Sequence, residues 1–130
     1  MIALNVKTTF NASALVQLHE RVGRRWSKIV GYQIRKQAQV SIRRGKRASS
    51  SGQPPRTRKG KLRRAIFYNV ETGGVVVGPG YSRFGTAGEA HEFGGRYKKQ
   101  TYPRRPFMGP ALKRIEPKMA DIWAEAFSRG

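Results

Sequence analysis

The sequence contains no cysteine, only two histidines and only seven acidic residues among its 130 positions. Without cysteine the chain has neither disulfides nor thiolate metal ligands, a composition that suits an intracellular product. No segment approaches the roughly 18 consecutive apolar residues of a membrane-spanning helix. Hydrophobic residues make up 38% of the chain, so we expect a modest core and some apolar surface left for partners.

The scarcity of acidic residues leaves a large excess of positive charge. The chain has 27 Lys and Arg against 7 Asp and Glu, which gives a net charge of +20. Between Glu20 and Glu71 there are 16 basic residues and no acidic one. Self-repulsion on this scale destabilises an isolated monomer and favours a polyanionic or acidic partner. Nucleic acid and an acidic protein surface both fit, but the sequence has no helix-turn-helix, zinc-finger or RNP signature of specific readout.

Hydrophobic periodicity predicts an α+β fold, in which a long N-terminal helix and a C-terminal helix pack on a small antiparallel sheet, with a long basic loop and a Pro-rich arm. The length of the chain fits a single domain over residues 1–130. The predicted elements are an extended arm or strand at 2–10, a helix at 11–42, a basic loop at 43–61, a hairpin at 62–80, loops and the Pro-rich arm at 81–109, and a helix at 110–127.

The long predicted helix has apolar residues spaced mostly by four, so its apolar stripe winds around the helix axis. We expect Asn11 to cap its start. We also expect the C-terminal half of this helix to pack against a neighbouring subunit. Gly23 and Gly31 each cost about 1 kcal/mol in a helix interior, a cost that close approach of another backbone would explain.

The predicted basic loop is rich in Gly, Ser, Pro and like charges, a composition that favours a mobile segment over a packed element. Such a loop could reach an adjacent protein, line a channel, or simply tether the helix to the hairpin. The candidate contacts with DNA or an acidic partner are the basic residues of this loop and of the turn after it: Arg43, Arg44, Lys46, Arg47, Arg56, Arg58, Lys59, Lys61, Arg63 and Arg64.

Three prolines shape the segment from Tyr102 to Gly109, which we call the arm. Pro103, Pro106 and Pro110 fix φ and push the residues before them toward extended geometry. A stiff extended arm would deliver Phe107 to a neighbouring molecule at low conformational cost. Pro110 is expected at the first position of the last helix, and Pro117 is expected to kink or restart that helix.

The arm and the residues before it resemble the head–tail joining, or tail-completion, proteins of long-tailed bacteriophages. That family has a Glu-Phe-Gly motif, then a Pro-x-Arg-Pro-Phe segment and a final helix. The matching residues here are Glu92-Phe93-Gly94, Pro103-Arg104-Arg105-Pro106-Phe107 and Pro110-Ala111-Leu112. A weaker match, Gly60-Lys61-Leu62-Arg63-Arg64-Ala65-Ile66, resembles the family's Gly-x-Leu-x-x-Ser-Ile. The resemblance covers about residues 50 to 127, with Gly95 and Ala65 departing from the family pattern.

The resemblance implies a structural virion protein of the phage neck, made in the host bacterial cytoplasm. Such a protein forms a ring, most simply of six or twelve copies, that joins the head connector to the tail. Its expected partners are further copies of itself, the neighbouring connector and tail proteins and, non-specifically, the DNA in the channel. The expected interface residues are Tyr102, Arg104, Arg105, Phe107, Met108, Glu92 and Phe93, with Phe107 as the main contact.

A stand-alone nucleic-acid-binding protein is the alternative. Aromatic residues interleave with basic ones around the arm, a pattern that fits single-strand stacking as well as protein interfaces. The prolines favour the interface interpretation.

Catalysis and metal binding have little support in the sequence. His91 and Glu92 lie near Glu89, but the other histidine, His19, is far away along the chain. Histidine metal sites usually need a second histidine or several carboxylates at suitable spacing. We therefore expect no enzyme activity and no cofactor. Glu92 is instead expected to pair with Arg63, Arg64 or an arginine of the arm.

Overall fold

The computed structural model describes residues 12–80, 87–97 and 99–129. The strand expected at 2–10 and the N-cap expected at Asn11 lie outside these residues. The helices and strands are, in chain order, α1 (Ala12–Ser41), α2 (Lys61–Arg64), β1 (Ile66–Glu71), β2 (Gly74–Pro79), α3 (Ala87–Phe93), β3 (Gly95–Tyr97), β4 (Gln100–Tyr102), α4 (Met108–Ile115), a 3-10 turn (Glu116–Lys118) and α5 (Met119–Ser128). The predicted α+β class is confirmed.

Helix α1 spans the chain region predicted. The apolar stripe of its C-terminal half, with Val30, Ile34 and Ala38, is buried in the core of its own chain, so the expectation that this stripe packs on a neighbouring subunit is wrong. Near the N-terminal end, Leu15 and Val16 remain 49% and 54% exposed. The core joins α1 to α2, β1 and the last two helices through Val30, Ile34, Ala38, Ile42, Leu62, Ile66, Phe107, Ala111, Ile115 and Ile122.

Strands β1 and β2 form the predicted antiparallel hairpin, in which Ile66 pairs with Pro79 and Val70 with Val75. The hairpin packs directly on α1 at Gly31. A Cβ on Gly31 would lie 2.8 Å from Tyr68 Cδ2 and 2.8 Å from Val75 Cγ2. Hairpin side chains therefore fill the space that any side chain at position 31 would need.

This close approach predicts opposite effects for the two glycines of α1. We expect Gly31→Ala to lower the free energy of unfolding by about 1–2 kcal/mol, since overpacking outweighs the gain in helix propensity. Gly23→Ala is the matched control, because its Cβ would lie 4.0 Å from the Trp123 ring, an ordinary contact. We expect it to raise the free energy of unfolding by up to about 1 kcal/mol. Urea unfolding of both variants measures the difference, and equal effects would contradict the packing.

The C-terminal helix is interrupted as Pro117 predicts, with the 3-10 turn between α4 and α5. Helix α4 begins at Met108, so Pro110 is its third residue and not its first. Helix α5 lies against the first half of α1, where Trp26 Nε1 donates a hydrogen bond to the Met119 carbonyl at 3.1 Å. The predicted apolar stripe is only partly buried, because Leu112 and Phe127 remain exposed.

A second antiparallel hairpin, β3–β4, was not predicted from the sequence. Gly95 pairs with Tyr102, and Lys99 in its turn has a positive φ of 65°. The strands have only three residues each, too few for a period of two to stand out among basic residues. The hairpin reverses the chain, so the arm begins beside the end of α3.

Candidate functional site: the capped arm and the basic surface

The Glu92 carboxylate lies at the N-terminus of α4 and binds its backbone. Oε2 accepts hydrogen bonds from the N–H groups of Phe107 at 2.7 Å and Met108 at 2.9 Å, and Oε1 accepts one from Gly109 at 2.8 Å. Pro110 has no N–H, so Glu92 accepts every backbone N–H from 107 to 110. We call Glu92 and these three N–H groups the capping site.

The capping site explains why a carboxylate stands at position 92. The first N–H groups of a helix have no partner within the helix, and the helix dipole favours a negative charge there. The expectation that Glu92 pairs with Arg63, Arg64 or an arginine of the arm is wrong in the described residues, where its partners are backbone N–H groups. Helix α3 and the arm are thereby joined although 15 residues separate Glu92 from Phe107.

Phe107 is buried in the core of its own chain. Its side chain is only 1% exposed and lies in the cluster that includes residues of α1, β1 and α4. The expectation that Phe107 inserts into a neighbour is therefore wrong, because that insertion would require removing the ring from this core. The arm therefore runs back onto the body of its own chain.

The arm also binds the basic loop and α3. Arg105 donates its backbone N–H to the His91 carbonyl at 2.6 Å and its Nε–H to the Ser49 carbonyl at 2.8 Å. The neighbouring Arg104 carbonyl accepts a hydrogen bond from the Gly52 N–H at 2.8 Å. These bonds hold the arm between α3 and the loop.

The basic loop is packed, contrary to the expectation from its composition. Arg44 and Thr57 form an isolated parallel bridge, in which the Gly45 N–H donates to the Thr57 carbonyl and the Thr57 N–H donates to the Arg43 carbonyl. Ser49 and Pro55 are buried as well. The loop therefore has defined backbone positions from which its basic side chains extend.

The turn after α3 depends on Gly94. Its φ is 74°, in the left-handed region, and a Cβ there would lie 3.3 Å from the Arg104 nitrogen. One residue before Glu92, the His91 ring meets the Tyr102 ring edge-on, with centroids 5.4 Å apart. Burial, and secondly the positive charge of Arg105, lower the pKa of His91, so the neutral imidazole is favoured in this contact.

Phe93 is the exposed aromatic residue of the same unit. It lies between the capping residue Glu92 and the fixed turn at Gly94, and it is 73% exposed. Of the other expected interface residues, Arg104 is exposed, while Tyr102 and Met108 are partly buried. The structure thus brings the predicted interface residues together, with the two phenylalanines in opposite roles: Phe107 inside and Phe93 outside.

A cleft of about 780 Å³ lies elsewhere on the chain, between the first half of α1, the turn of the β1–β2 hairpin and α5. Trp26 and Trp123 line it, and their rings meet edge-on with centroids 6.1 Å apart. Its charged lining residues are Glu20, Arg24, Lys28 and Glu71. This cleft could not be predicted from the sequence, because its walls come from three elements that are distant along the chain.

The ten candidate basic contacts between Arg43 and Arg64 are all exposed. In the part of the chain that the structure describes, the ion pair within 4.0 Å is that of Arg129 with Glu125, on α5. The basic side chains of the loop and α2 therefore have no carboxylate partner among the described residues. Their charge is available to an external anion.

Metal binding gains no support from the geometry. Among residues 12–80, 87–97 and 99–129, no group of three or more His, Asp or Glu side chains could hold a metal ion. His19 lies against the Trp123 ring instead, with centroids 5.7 Å apart. In the same residues, no helix combines the length and apolar character needed to cross a membrane.

Comparison with known proteins found no matching family, no matching curated protein and no matching solved structure.

Proposed function

We propose that this chain is a structural protein of the bacteriophage neck, and that it forms an oligomeric ring joining the head connector to the tail. Its role is positional and not catalytic. The ring has several copies, most simply six or twelve, and it contacts neighbouring connector and tail proteins in the virion. The proposal begins from the resemblance of residues 50 to 127 to tail-completion proteins.

The capping site is the observation that carries the proposal. The two motifs of the resemblance, Glu-Phe-Gly and Pro-x-Arg-Pro-Phe, are distant along the chain, yet the Glu of the first binds the backbone that directly follows the second. The motif residues thus have one shared physical task, which is to fix the end of α3 against the start of α4. Of the two phenylalanines in these motifs, Phe93 is the one that this arrangement leaves in solvent.

Phe93 has the properties of an interface contact. An aromatic side chain has only two rotatable χ angles and so loses little conformational entropy on binding, and aromatic residues dominate interface energetics. Its neighbour Arg104 is exposed, and arginine is also enriched at interfaces. The chain therefore presents a preformed contact surface around Phe93, in contrast to an arm that becomes ordered only on binding.

The cleft lined by Trp26 and Trp123 is the surface we propose for the Phe93 of an adjacent copy. A closed ring needs heterologous contacts, in which one patch of each copy fits a different patch of the next. The cleft offers aromatic walls for a phenyl ring, while Glu20 and Glu71 offer carboxylates for the arginines near Phe93. Its own Arg24 and Lys28 lie in the same wall, so the aromatic contact supplies most of the attraction.

The test is Phe93→Ala, which we expect to abolish ring assembly and tail attachment while the chain stays folded. The side chain is 73% exposed, so its truncation should change the free energy of unfolding by less than about 0.5 kcal/mol. Sedimentation across a concentration series measures assembly, and electron microscopy of particles carrying the variant measures tail attachment.

Phe127→Ala is the control, since Phe127 is also a strongly exposed phenylalanine, at 56%, but lies outside the motif residues. It should assemble like the wild type. A Phe93→Ala chain that forms rings and tailed particles normally, or a wild-type chain that stays monomeric at every concentration and in the virion, would refute the proposal.

A stand-alone nucleic-acid-binding protein is the second candidate, favoured by the exposed basic residues without carboxylate partners. Such a protein would bind duplex DNA as a monomer. The logarithm of its affinity would fall linearly with the logarithm of the salt concentration. Normal DNA binding together with failure of ring assembly in the wild type would favour this candidate over the neck protein.

A further inference from the structure

Two arginine side chains converge over Gly60, at the start of α2. The position that a Cβ on Gly60 would occupy lies 3.4 Å from Nη2 of Arg44 and 3.4 Å from Nη1 of Arg64. Nε of Arg44 lies 3.6 Å from the same point. Both guanidinium groups therefore lie close to the same glycine, and we call them the arginine pair.

The backbone around the arginine pair is well defined. Arg44 belongs to the bridge with Thr57, and the Thr57 hydroxyl accepts a hydrogen bond from the Gly60 N–H at 3.1 Å. The Arg64 N–H donates to the Gly60 carbonyl at 3.0 Å. Gly60 has a φ of 75°, a left-handed conformation that favours glycine. The two arginines, 20 positions apart in the sequence, are thus brought together by the fold.

Two guanidinium groups in this position repel each other unless an anion lies between them. In the described residues, neither has a carboxylate within ion-pair distance. Arginine remains charged at any ordinary pH, so the repulsion is not relieved by loss of a proton. An anion that accepts hydrogen bonds from both groups would make the net electrostatic interaction at this position favourable.

We propose that the arginine pair holds one phosphate of the duplex DNA backbone. A phosphodiester offers its oxygens to two guanidinium groups at once, whereas the two oxygens of a carboxylate are already used by one arginine in the bidentate arrangement. The other exposed basic residues of the loop and α2, such as Arg56, Arg58 and Lys61, bind neighbouring phosphates of the same DNA backbone. A lone phosphate ion would leave these residues without a partner.

This proposal goes beyond the ring, because it requires only the folded chain and duplex DNA. It also differs from a general basic surface, since it assigns a shared phosphate to two named side chains. DNA-binding measurements on the Phe93→Ala variant separate phosphate binding from ring assembly, because that variant is expected not to form the ring but to keep the arginine pair.

The experiment compares Arg44→Gln, Arg64→Gln and the double variant with a matched control set, Arg43→Gln, Arg63→Gln and their double. Both double variants remove two positive charges from exposed side chains. The control positions, 43 and 63, directly precede positions 44 and 64 in the sequence. Affinity for a short mixed-sequence duplex is measured by fluorescence anisotropy across a salt series. Inorganic phosphate and polyglutamate serve as competitors, and thermal unfolding verifies that every variant is folded.

For the arginine pair we expect affinity to fall about tenfold, as expected when charge-assisted hydrogen bonds to a phosphate are lost. The slope of log affinity against log salt should become shallower by about 1, the value for one phosphate contact. Each single variant should already show most of the affinity loss of the double variant, so the loss in the double is smaller than the sum of the two single losses. The control pair should show smaller losses that add.

Any of four results would overturn the proposal: equal losses from the two pairs, additive losses at the arginine pair, no measurable DNA binding by the wild type, or polyglutamate competing as well as DNA. Displacement of DNA by inorganic phosphate, at concentrations with little effect on ionic strength, would also count against the proposal. That result would assign the site to a free phosphate ion.

Discussion

Phe107→Ala is expected to destabilise the folded chain strongly. Removing a phenylalanine ring from a packed core costs about 3–5 kcal/mol, a large part of the roughly 5–15 kcal/mol that stabilises a typical domain. The Phe107 side chain is 1% exposed and contacts the cluster that joins α1 to α4. Denaturant unfolding followed by circular dichroism should therefore show a midpoint far below that of the wild type, with a similar slope.

Phe93→Ala is the matched control for this effect, because it removes the same ring from the solvent-exposed side of the same motif unit. Its unfolding midpoint should stay close to that of the wild type. A Phe107→Ala chain with wild-type stability and a specific loss of assembly would contradict the burial of Phe107 and would restore the arm as an intermolecular contact.

Glu92→Gln is expected to lower the free energy of unfolding by about 2–4 kcal/mol, because hydrogen bonds to a charged acceptor contribute more than neutral ones and a lost N-cap alone costs about 1 kcal/mol. Glutamine has one acceptor oxygen, and its NH₂ group would face the N–H donors of 107–109. The loss of charge also removes the favourable interaction with the dipole of α4.

Glu125→Gln is the control for Glu92→Gln. Glu125 accepts a hydrogen bond from Arg129 at 2.7 Å, as short as the shortest bond of the capping site, but the side chains of this pair are 59% and 67% exposed. An exposed ion pair contributes about 0–1 kcal/mol, so this variant should unfold nearly like the wild type. Equal unfolding midpoints for the two variants would contradict the structural role of Glu92.

The local elements could be predicted from the sequence because short-range chemistry determines them. The apolar spacing from Leu15 to Ile42 predicted α1, and the Thr72-Gly73-Gly74 turn between an alternating segment and a run of valines predicted the β1–β2 hairpin. Pro117 specified the interruption of the last helix, since its ring cannot continue regular helical hydrogen bonding. Each of these signals lies within a few residues of the structure that it determines.

The path of the arm could not be predicted, because its prolines fix dihedral angles and not the destination of the chain. Phe107 between two prolines fits a core as well as a neighbour. Glu92 in a basic chain indicated an arginine partner, whereas its partners are backbone N–H groups that no sequence pattern displays. Burial of Phe107 and capping by Glu92 are both consequences of the tertiary position of α3 beside α4.

The order of the basic loop could not be predicted for a related reason. Its low hydrophobicity and high charge favour disorder, but hydrogen bonds to its backbone groups hold it in place. The Arg44–Thr57 bridge and the bonds from Gly52 and Arg105 do not depend on apolar side chains. Composition could locate the positive charge, but only the fold could bring Arg44 and Arg64 together.

The central claim is that the arm is part of the folded monomer, fixed by Glu92 before any neighbour binds. Amide hydrogen exchange at 107, 108 and 109, measured by NMR on the dilute monomeric chain, tests it most directly. The account predicts protection of these amides comparable to that of the core of α1, and loss of that protection in Glu92→Gln. Exchange at the rate of an unstructured peptide in the wild type, with α1 still protected, would contradict it.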